Sequence, residues 1–308
     1  MPLSGLDLRR SARDFVAGAA QRTAGQVAAV LSQLGVPPTT APAGILLYHR
    51  VSPVIATYPS PTMNVTPESF RAQLAGLVAR GFHVWPLAQL LEAHATSAHV
   101  PARTVAITFD DGFEATYRYA WPILRELSLP STVFLPTAFL DHDAPFPFDQ
   151  WGVRYASPET ALALRPLRRH QVREMKDTGL MTFGAHTHTH QDFRGRYDEF
   201  RADLQECVDT FRRDFNDAHP TFAFPFGRRH AGYVDDRLLD CARATGVTCA
   251  LTTEAQPVFP DTDPFGWGRF NVYDWDTAAT LQAKLEGHYG WAPRLQERFA
   301  REGAGRGR

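Results

Sequence analysis

The chain has little of several features that would mark a specialised class of protein. It has three cysteines among 308 residues, an odd number without metal-type spacing, so neither a disulfide framework nor a cysteine zinc site is expected. It has no run of about 20 apolar residues, so no transmembrane helix is predicted. Its formal net charge is −1, and without a basic excess we expect neither nucleic acid nor an anionic membrane as its partner.

What the chain does contain is typical of a folded α/β protein. Hydrophobic residues make up 44% and charged residues 21%, and the length fits one large barrel domain or two ordinary domains. Short apolar segments such as residues 131–135 alternate with helical patterns, one of which begins clearly at Thr66 and Pro67. This alternation predicts parallel strands joined by right-handed crossovers.

The N-terminal residues 1–36 carry Arg9 and Arg10, followed by an Ala-rich stretch with apolar residues near one helical face. A signal peptide is one interpretation, but Gln21 and other polar residues interrupt its apolar core, although the twin arginines resemble an export signal. We expect an amphipathic helix that packs on the domain, a partner or a membrane surface, followed by a Pro-rich linker over residues 37–43.

Two adjacent carboxylates stand out in the stretch TFDDG, residues 108–112. An apolar run precedes them and Gly112 permits a sharp turn after them, so Asp110 and Asp111 are predicted at the C-terminal end of a strand. In α/β folds that end faces the active site. Two carboxylates this close favour a bound cation, although one of them could simply cap the following helix.

A second cluster is HTHTH at residues 186–190, which follows another short apolar segment. His186 and His190 are four residues apart, so on a helical turn or in a tight loop they would face one point, and a carboxylate would complete the set. A zinc site with three protein ligands leaves one position open for water, as a hydrolase requires. A solvated polar loop is the alternative.

These two stretches resemble the first two motifs of the polysaccharide deacetylase family, also called the NodB homology or carbohydrate esterase 4 family. A third stretch, FAFPFG at residues 222–227, resembles the third motif of the branch that includes the poly-N-acetylglucosamine deacetylases. The three motifs occur in the expected order, and the resemblance covers residues 44–290. Together they form a specific signal.

The resemblance implies a distorted, incomplete (β/α) barrel of parallel strands, with an additional N-terminal helix. It divides the chain into an N-terminal helix and linker at 1–43, a deacetylase domain at 44–290 and a tail at 291–308. It implies a metal-dependent hydrolase of linear amides that removes acetyl groups, most simply the N-acetyl groups of hexosamines in a polysaccharide or its precursor. The expected cofactor is zinc, with cobalt, nickel or manganese as alternatives.

The resemblance also implies roles for individual residues. Asp111, His186 and His190 would bind the metal ion, and Asp110 would be the general base that takes a proton from water. The backbone amide of Phe226 would help to hold the oxyanion that develops on the acetyl group. His188 is not assigned to this set of residues, and it would lie either next to the metal ligands or in solvent.

The chain departs from the family at three points. The residues before Pro225 include no arginine to orient the catalytic aspartate, so that support comes from elsewhere or is absent. Where the family usually has a tyrosine after the proline, this chain has Phe226. The general acid has two candidates, His49 after the first strand and His288 in a weak match to the fifth motif.

Two further residues are candidates for contact with substrate. Pro225 lies in the third motif, and Trp151 lies in an acidic and aromatic rim segment of a type that suits sugar rings.

Alternatives to the N-deacetylase are an O-acetyl esterase and an inactive carbohydrate-binding protein of the same fold. The intact Asp110 argues against the inactive protein, since a binder needs no base beside its metal ligand. The few cysteines and the lack of an obvious export signal favour a cytoplasmic location over an exported one.

Overall fold

The computed structural model describes residues 22–23, 26–27, 43–259 and 261–288. Ten strands are described: β1 (Ala43–Tyr48), β2 (Arg50–Val51), β3 (Asn64–Val65), β4 (His83–Val84), β5 (Thr104–Phe109), β6 (Ser131–Leu135), β7 (Met181–Ala185), β8 (Phe222–Ala223), β9 (Ala250–Leu251) and β10 (Phe270–Asn271). The main sheet has the spatial order β10, β1, β5, β6, β7, β8, β9, and β4 pairs with the beginning of β5. Strands β2 and β3 pair separately from the main sheet.

Every pairing in the main sheet is parallel, and the sheet curls into an incomplete barrel. Among the described residues no ladder joins β9 to β10. The sequences AGILLY in β1 and TVAITF in β5 are buried at every position, as expected for central parallel strands covered on both faces. The predicted barrel is therefore confirmed.

Nine α-helices surround the sheet: α1 (Pro67–Ala79), α2 (Leu87–Ala95), α3 (Trp121–Leu127), α4 (Gln150–Tyr155), α5 (Ala161–Leu164), α6 (Arg169–Asp177), α7 (Tyr197–Phe215), α8 (Asp236–Ala244) and α9 (Ala278–Leu285), all within the described ranges. Helix α1 begins as predicted, because the Thr66 side chain accepts a hydrogen bond from the Ser69 N–H at 3.3 Å. A π-helical turn at Thr116–Ala120 leads into α3. No helix in the described ranges is long and apolar enough to cross a bilayer.

The parallel arrangement brings the C-terminal ends of the strands to one edge. Four of the stretches singled out in the sequence follow a strand at that edge: residue 49 after β1, 110–112 after β5, 186–190 after β7 and 224–227 after β8. Most of the expected N-terminal helix and linker, and all of the tail, lie outside the described residues. The division into three segments stays a prediction.

Candidate active site

The carboxylate pair lies where β5 leaves the sheet. Asp110 N–H continues the ladder by donating to the Tyr48 carbonyl at 2.9 Å, and Asp111 then turns the chain with a φ of 68°. Gly112 also has a positive φ, and a Cβ at this position would come within 2.5 Å of Leu135 Cδ2, so a side chain does not fit there. The turn leaves both carboxylates at the C-terminal edge of the sheet.

The two outer histidines of the second cluster converge on one of these carboxylates. His186 Nε2 lies 3.5 Å and His190 Nε2 lies 3.3 Å from Asp111 Oδ1. All three side chains are buried, and one potential ligand atom from each lies within 4.8 Å of the others. The histidines stand in an irregular turn after β7 and not on a helix, which decides between the two geometries that their spacing allows.

These three residues fit a divalent metal ion. In a tetrahedral zinc site, ligand atoms about 2.1 Å from the ion lie about 3.4 Å from each other, which agrees with the two distances to Asp111 Oδ1. His186 Nδ1 lies 2.7 Å from the Ala223 carbonyl, so this nitrogen donates a hydrogen bond and Nε2 keeps its lone pair for a metal. A set of one carboxylate and two imidazoles suits zinc and other first-row metals.

His190 is oriented in a different way from His186. Its Nδ1 is buried and has no hydrogen-bond partner among the described residues. Instead, the ring of Phe148 stacks on its imidazole, with the centroids 3.8 Å apart and the planes at 18°. Phe226 approaches the same imidazole edge-on at 5.2 Å. Aromatic packing therefore takes the place of the usual hydrogen bond in fixing this ring.

Arg269 binds Asp110 through a buried bidentate ion pair. Its Nη1 and Nη2 lie 2.6 and 2.8 Å from the two carboxylate oxygens of Asp110, and its Nε donates to the Thr252 carbonyl at 3.1 Å. The arginine is fully buried and immediately precedes β10. It supplies the support for Asp110 that the third motif lacks.

The surroundings keep both aspartates in the charged form. Burial raises the pKa of Asp110, but the positive charges of Arg269 and His186 and the hydrogen bonds of Arg269 outweigh it, so the pKa is lowered. For Asp111 burial also acts upwards, and the adjacent imidazoles of His186 and His190 hold the pKa well below its ordinary value.

His49 lies in the same electrostatic environment, directly after β1. Burial lowers the pKa of its imidazole, and the charges of Asp111 and Asp110 act in the opposite direction without overcoming it. Its Nδ1 is buried and has no hydrogen-bond partner in the described part of the chain. The structure thus brings one of the two candidate acids to the carboxylates.

The other candidate acid, His288, lies at the opposite end of the sheet. It follows α9, and its Nε2 is 3.8 Å from Glu286, which in turn lies 3.5 Å from Arg103. Arg103 immediately precedes β5, whereas Asp110 immediately follows it, and a six-residue strand is about 20 Å long. The expectation that His288 is a general acid is therefore corrected, because a helix leads the chain back to the N-terminal edge.

Phe226 occupies the centre of a tight turn after β8. Gly227 N–H donates to the Pro225 carbonyl at 2.7 Å, and Phe226 has a φ of 62°, the geometry of a strained γ-turn. The Phe226 N–H has no acceptor among the described residues, and its side chain is 42% exposed. The amide is thus available to a ligand. Pro225 itself is buried and lines a small pocket together with Phe226 and Tyr233.

Trp151, a candidate for contact with substrate, is buried in the structure. It is 8% exposed, its Nε1 donates to the Pro59 carbonyl at 2.9 Å, and its ring packs on Tyr155. The loop aromatic is buried because a buried ion pair between Arg50 and Asp149 ties this rim segment to β2. The aromatic residue that reaches the site from this segment is Phe148.

A sequence profile of polysaccharide deacetylases matches residues 97–250, half of the chain. The chain belongs to the polysaccharide deacetylase family. The resemblance drawn from the three motifs is thereby confirmed, and the acetyl-removing class of hydrolase with it.

Individual relatives of this polysaccharide deacetylase agree with that assignment. It is 25% identical over 229 residues to the poly-beta-1,6-N-acetyl-D-glucosamine N-deacetylase of Staphylococcus epidermidis, and the match covers 73% of each chain. It has the fold of the Streptococcus pyogenes deacetylase PplD, with a TM-score of 0.65, 20% identity, and 80% and 99% of the two chains covered. For IcaB from Ammonifex degensii the TM-score is 0.65 and the identity 21%, with 82% and 99% covered.

Sequence reasoning missed two residues of this deacetylase site. Arg269 precedes its strand, and no feature of the sequence marks it as a residue of the site. Phe148 lies in the rim segment whose aromatic character is visible in the sequence, but nothing in the sequence distinguishes it from Trp151. His188, left unassigned, lies 2.9 Å through its Nδ1 from the Thr137 hydroxyl.

Proposed function

We propose that this polysaccharide deacetylase hydrolyses the N-acetyl groups of hexosamine units, in a polymer of N-acetylglucosamine or its precursor, with a divalent metal ion as cofactor. The observation that carries the proposal is the position of Asp110. It is fixed by Arg269 and lies beside the converging ligand atoms of Asp111, His186 and His190. The curated relative that acts on poly-beta-1,6-N-acetyl-D-glucosamine supports the choice of substrate.

Asp111, His186 and His190 would hold the ion, and zinc is the first choice, with cobalt, nickel or manganese as alternatives. When bound, such an ion polarises a carbonyl and lowers the pKa of a water molecule to about 7. The carboxylate and the two imidazoles are buried, and their potential ligand atoms lie within 4.8 Å of one another, which supports one cation shared by all three.

The remaining residues divide the proton transfers between them. Asp110, kept ionised by Arg269, would take a proton from the water that attacks the acetyl carbon. The N–H of Phe226 would donate a hydrogen bond to the carbonyl oxygen as it gains negative charge. When the C–N bond breaks, the leaving amine requires a proton, and His49 would pass to it the proton that Asp110 takes from water. The products are acetate and a free amino sugar.

The test is acetate release from short N-acetylglucosamine oligomers by the purified protein, with and without a chelator and with zinc restored. Asp110→Asn removes the base and retains the size of the side chain. Asp143→Asn is a matched control, because Asp143 is an exposed aspartate whose ion pair with Arg168 lies at the surface. We expect chelator-sensitive release that Asp110→Asn abolishes and Asp143→Asn preserves.

Two results would overturn the proposal. Release from O-acetylated sugars but not from N-acetylated oligomers would make the protein an esterase. Metal-loaded protein that binds oligomers and releases no acetate from either substrate would make it a binding protein of the same fold.

A further inference from the structure

The turn that joins His186 to His190 has an unfavourable backbone. Thr187 has a φ of 61° and His190 a φ of 54°, and neither is glycine. A positive φ is most costly for a β-branched residue such as Thr187, since its Cβ substituents crowd the neighbouring backbone. A turn of this kind persists only where its surroundings hold it in place.

Asp203, on the neighbouring helix α7, holds this turn. Its Oδ1 accepts hydrogen bonds from the N–H of His188 at 2.5 Å and of Thr189 at 3.2 Å. Its Oδ2 accepts from the same Thr189 N–H at 3.2 Å and from the Thr189 hydroxyl. One half-buried carboxylate thus binds two consecutive backbone amides and a side chain. Hydrogen bonds to a charged acceptor are about twice as strong as neutral ones.

All of these contacts lie between the two imidazoles that converge on Asp111. The turn is also braced from inside, where the Thr187 hydroxyl accepts a hydrogen bond from His190 N–H at 3.0 Å. Without Asp203 the backbone could relax towards an ordinary φ, and rotation at Thr187 would swing His190 away from His186. Asp203 is not among the three ligand residues.

We infer that Asp203 is a positioning residue for the metal centre, which acts by clamping the 187–190 turn so that His186 and His190 present their Nε2 atoms to one ion. This inference rests on the metal centre of the proposed function. It concerns metal affinity and coordination geometry, and it assigns Asp203 no contact with substrate.

The test compares Asp203→Ala, Asp203→Asn and a control, Asp209→Asn. Asp209 lies on the same helix. It forms a surface ion pair with Arg212 at 2.7 Å and, among the described residues, no hydrogen bond or ion pair with the turn. Metal-free protein is titrated with Zn²⁺ against a chromophoric chelator, and with Co²⁺ while the visible absorption is recorded. The melting temperature of each metal-free variant is measured in parallel.

We expect Asp203→Ala to bind Zn²⁺ about 10- to 100-fold more weakly than wild type and to change the Co²⁺ absorption bands. Asp203→Asn retains one acceptor oxygen and should lose less, and Asp209→Asn should match wild type. If Asp203→Ala does not fold, Asp203→Asn and Thr189→Val, which removes only the hydroxyl contact, provide the same comparison.

Wild-type affinity and wild-type Co²⁺ bands in folded Asp203 variants would overturn the inference, whether or not the melting temperature falls, because Asp203 would then support only the fold. Failure of the proposed metal centre itself would give a different result: the wild-type protein would bind neither Zn²⁺ nor Co²⁺.

Discussion

Arg269 and Asp110 are 159 residues apart in the sequence and share a bidentate ion pair inside the barrel. The pair joins the edge strand β10 to the strand that carries both catalytic-site carboxylates. It keeps Asp110 ionised in a place where burial alone would favour the neutral acid. A distant arginine therefore fixes the orientation of the proposed base and is the largest contributor to keeping it charged.

Arg269→Met is expected to leave Asp110 buried without its partner. Breaking a buried pair in this way costs about 3–5 kcal/mol, so the free energy of unfolding in urea should fall by roughly that amount, and acetate release should be lost. The control is Arg243→Met, because Arg243 forms an exposed ion pair with Asp263 and should cost about 1 kcal/mol or less. The double variant Arg269→Met with Asp110→Asn should recover part of the stability and no activity. An active, stable Arg269→Met protein would contradict this account.

The two histidines proposed from the sequence as general acid should respond differently to substitution. His49→Ala is expected to reduce kcat for acetate release by about 100-fold or more, within the usual range for a general acid or base. His288→Ala should retain wild-type kcat, since His288 lies at the other edge of the sheet beside Glu286. Steady-state kinetics of the zinc-loaded wild type and of both variants, measured without a chelator, distinguishes the roles of the two histidines. Equal activity of His49→Ala and wild type would remove His49 from the mechanism.

The difference between these two histidines shows what the sequence could predict. Strand and helix patterns are local, and residues that follow a strand reach the functional edge of a parallel barrel, so the positions of His49, Asp110 and His186 followed from pattern alone. His288 follows a helix, α9, that was not recognised in the sequence. Residues after a helix return to the N-terminal edge, and the weak motif match could not reveal this.

Arg269 could not be predicted by the same reasoning. It precedes its strand, so the rule that places functional residues after strands excludes it, and only its long side chain reaches Asp110. Its burial depends on the order of β10 and β1 in the sheet, which is a property of the whole fold. The burial of Trp151 could not be predicted for a related reason: it depends on the ion pair between Arg50 and Asp149, which are 99 residues apart in the sequence.

Phe148 should control how firmly His190 is held. Phe148→Leu removes the aromatic ring that stacks on the imidazole and retains an apolar side chain, so zinc loss to a chelator should become about 10-fold faster. Phe139→Leu is the matched control, since Phe139 packs on Phe148 at 5.7 Å within the same aromatic cluster. Equal rates of zinc loss from the two variants would show that cluster packing, and not the stacked ring, holds the ligand.

The rim of the site is also tied down by an arginine shared between two carboxylates. Arg169 Nε lies 2.8 Å from Asp214, and its Nη1 lies 2.5 Å from Asp141. Partial burial raises the pKa of Asp141, but the backbone and side-chain hydrogen bonds of Arg169 outweigh this effect and lower the pKa. Burial also acts to raise the pKa of Asp214, and the hydrogen bonds of Arg169 and Arg213 again outweigh it and lower the pKa.

This lowering of both pKa values predicts a pH-dependent stability. An acid whose pKa is lower in the folded state stabilises the fold above its unfolded pKa, about 3.9 for Asp, and loses that contribution as the pH falls through the folded pKa. Because the three groups are partly exposed, solvent screening limits the contribution to about 1 kcal/mol. Arg169→Met should therefore lower the free energy of unfolding by about 1 kcal/mol at pH 7.

The same substitution should cost progressively less as the pH falls below about 4, because the carboxylates of the variant are protonated first and those of wild type follow at the lower pKa that Arg169 gives them. Urea unfolding between pH 7 and pH 3 measures the difference, and taking wild type minus variant cancels the other carboxylates that titrate in this range. Arg212→Met, at an exposed pair with Asp209 on α7, should show a difference of a few tenths of a kcal/mol at every pH. A difference for Arg169→Met that stays constant down to pH 3 would mean that Arg169 stabilises the rim by packing, since packing does not depend on the charge of Asp141 and Asp214.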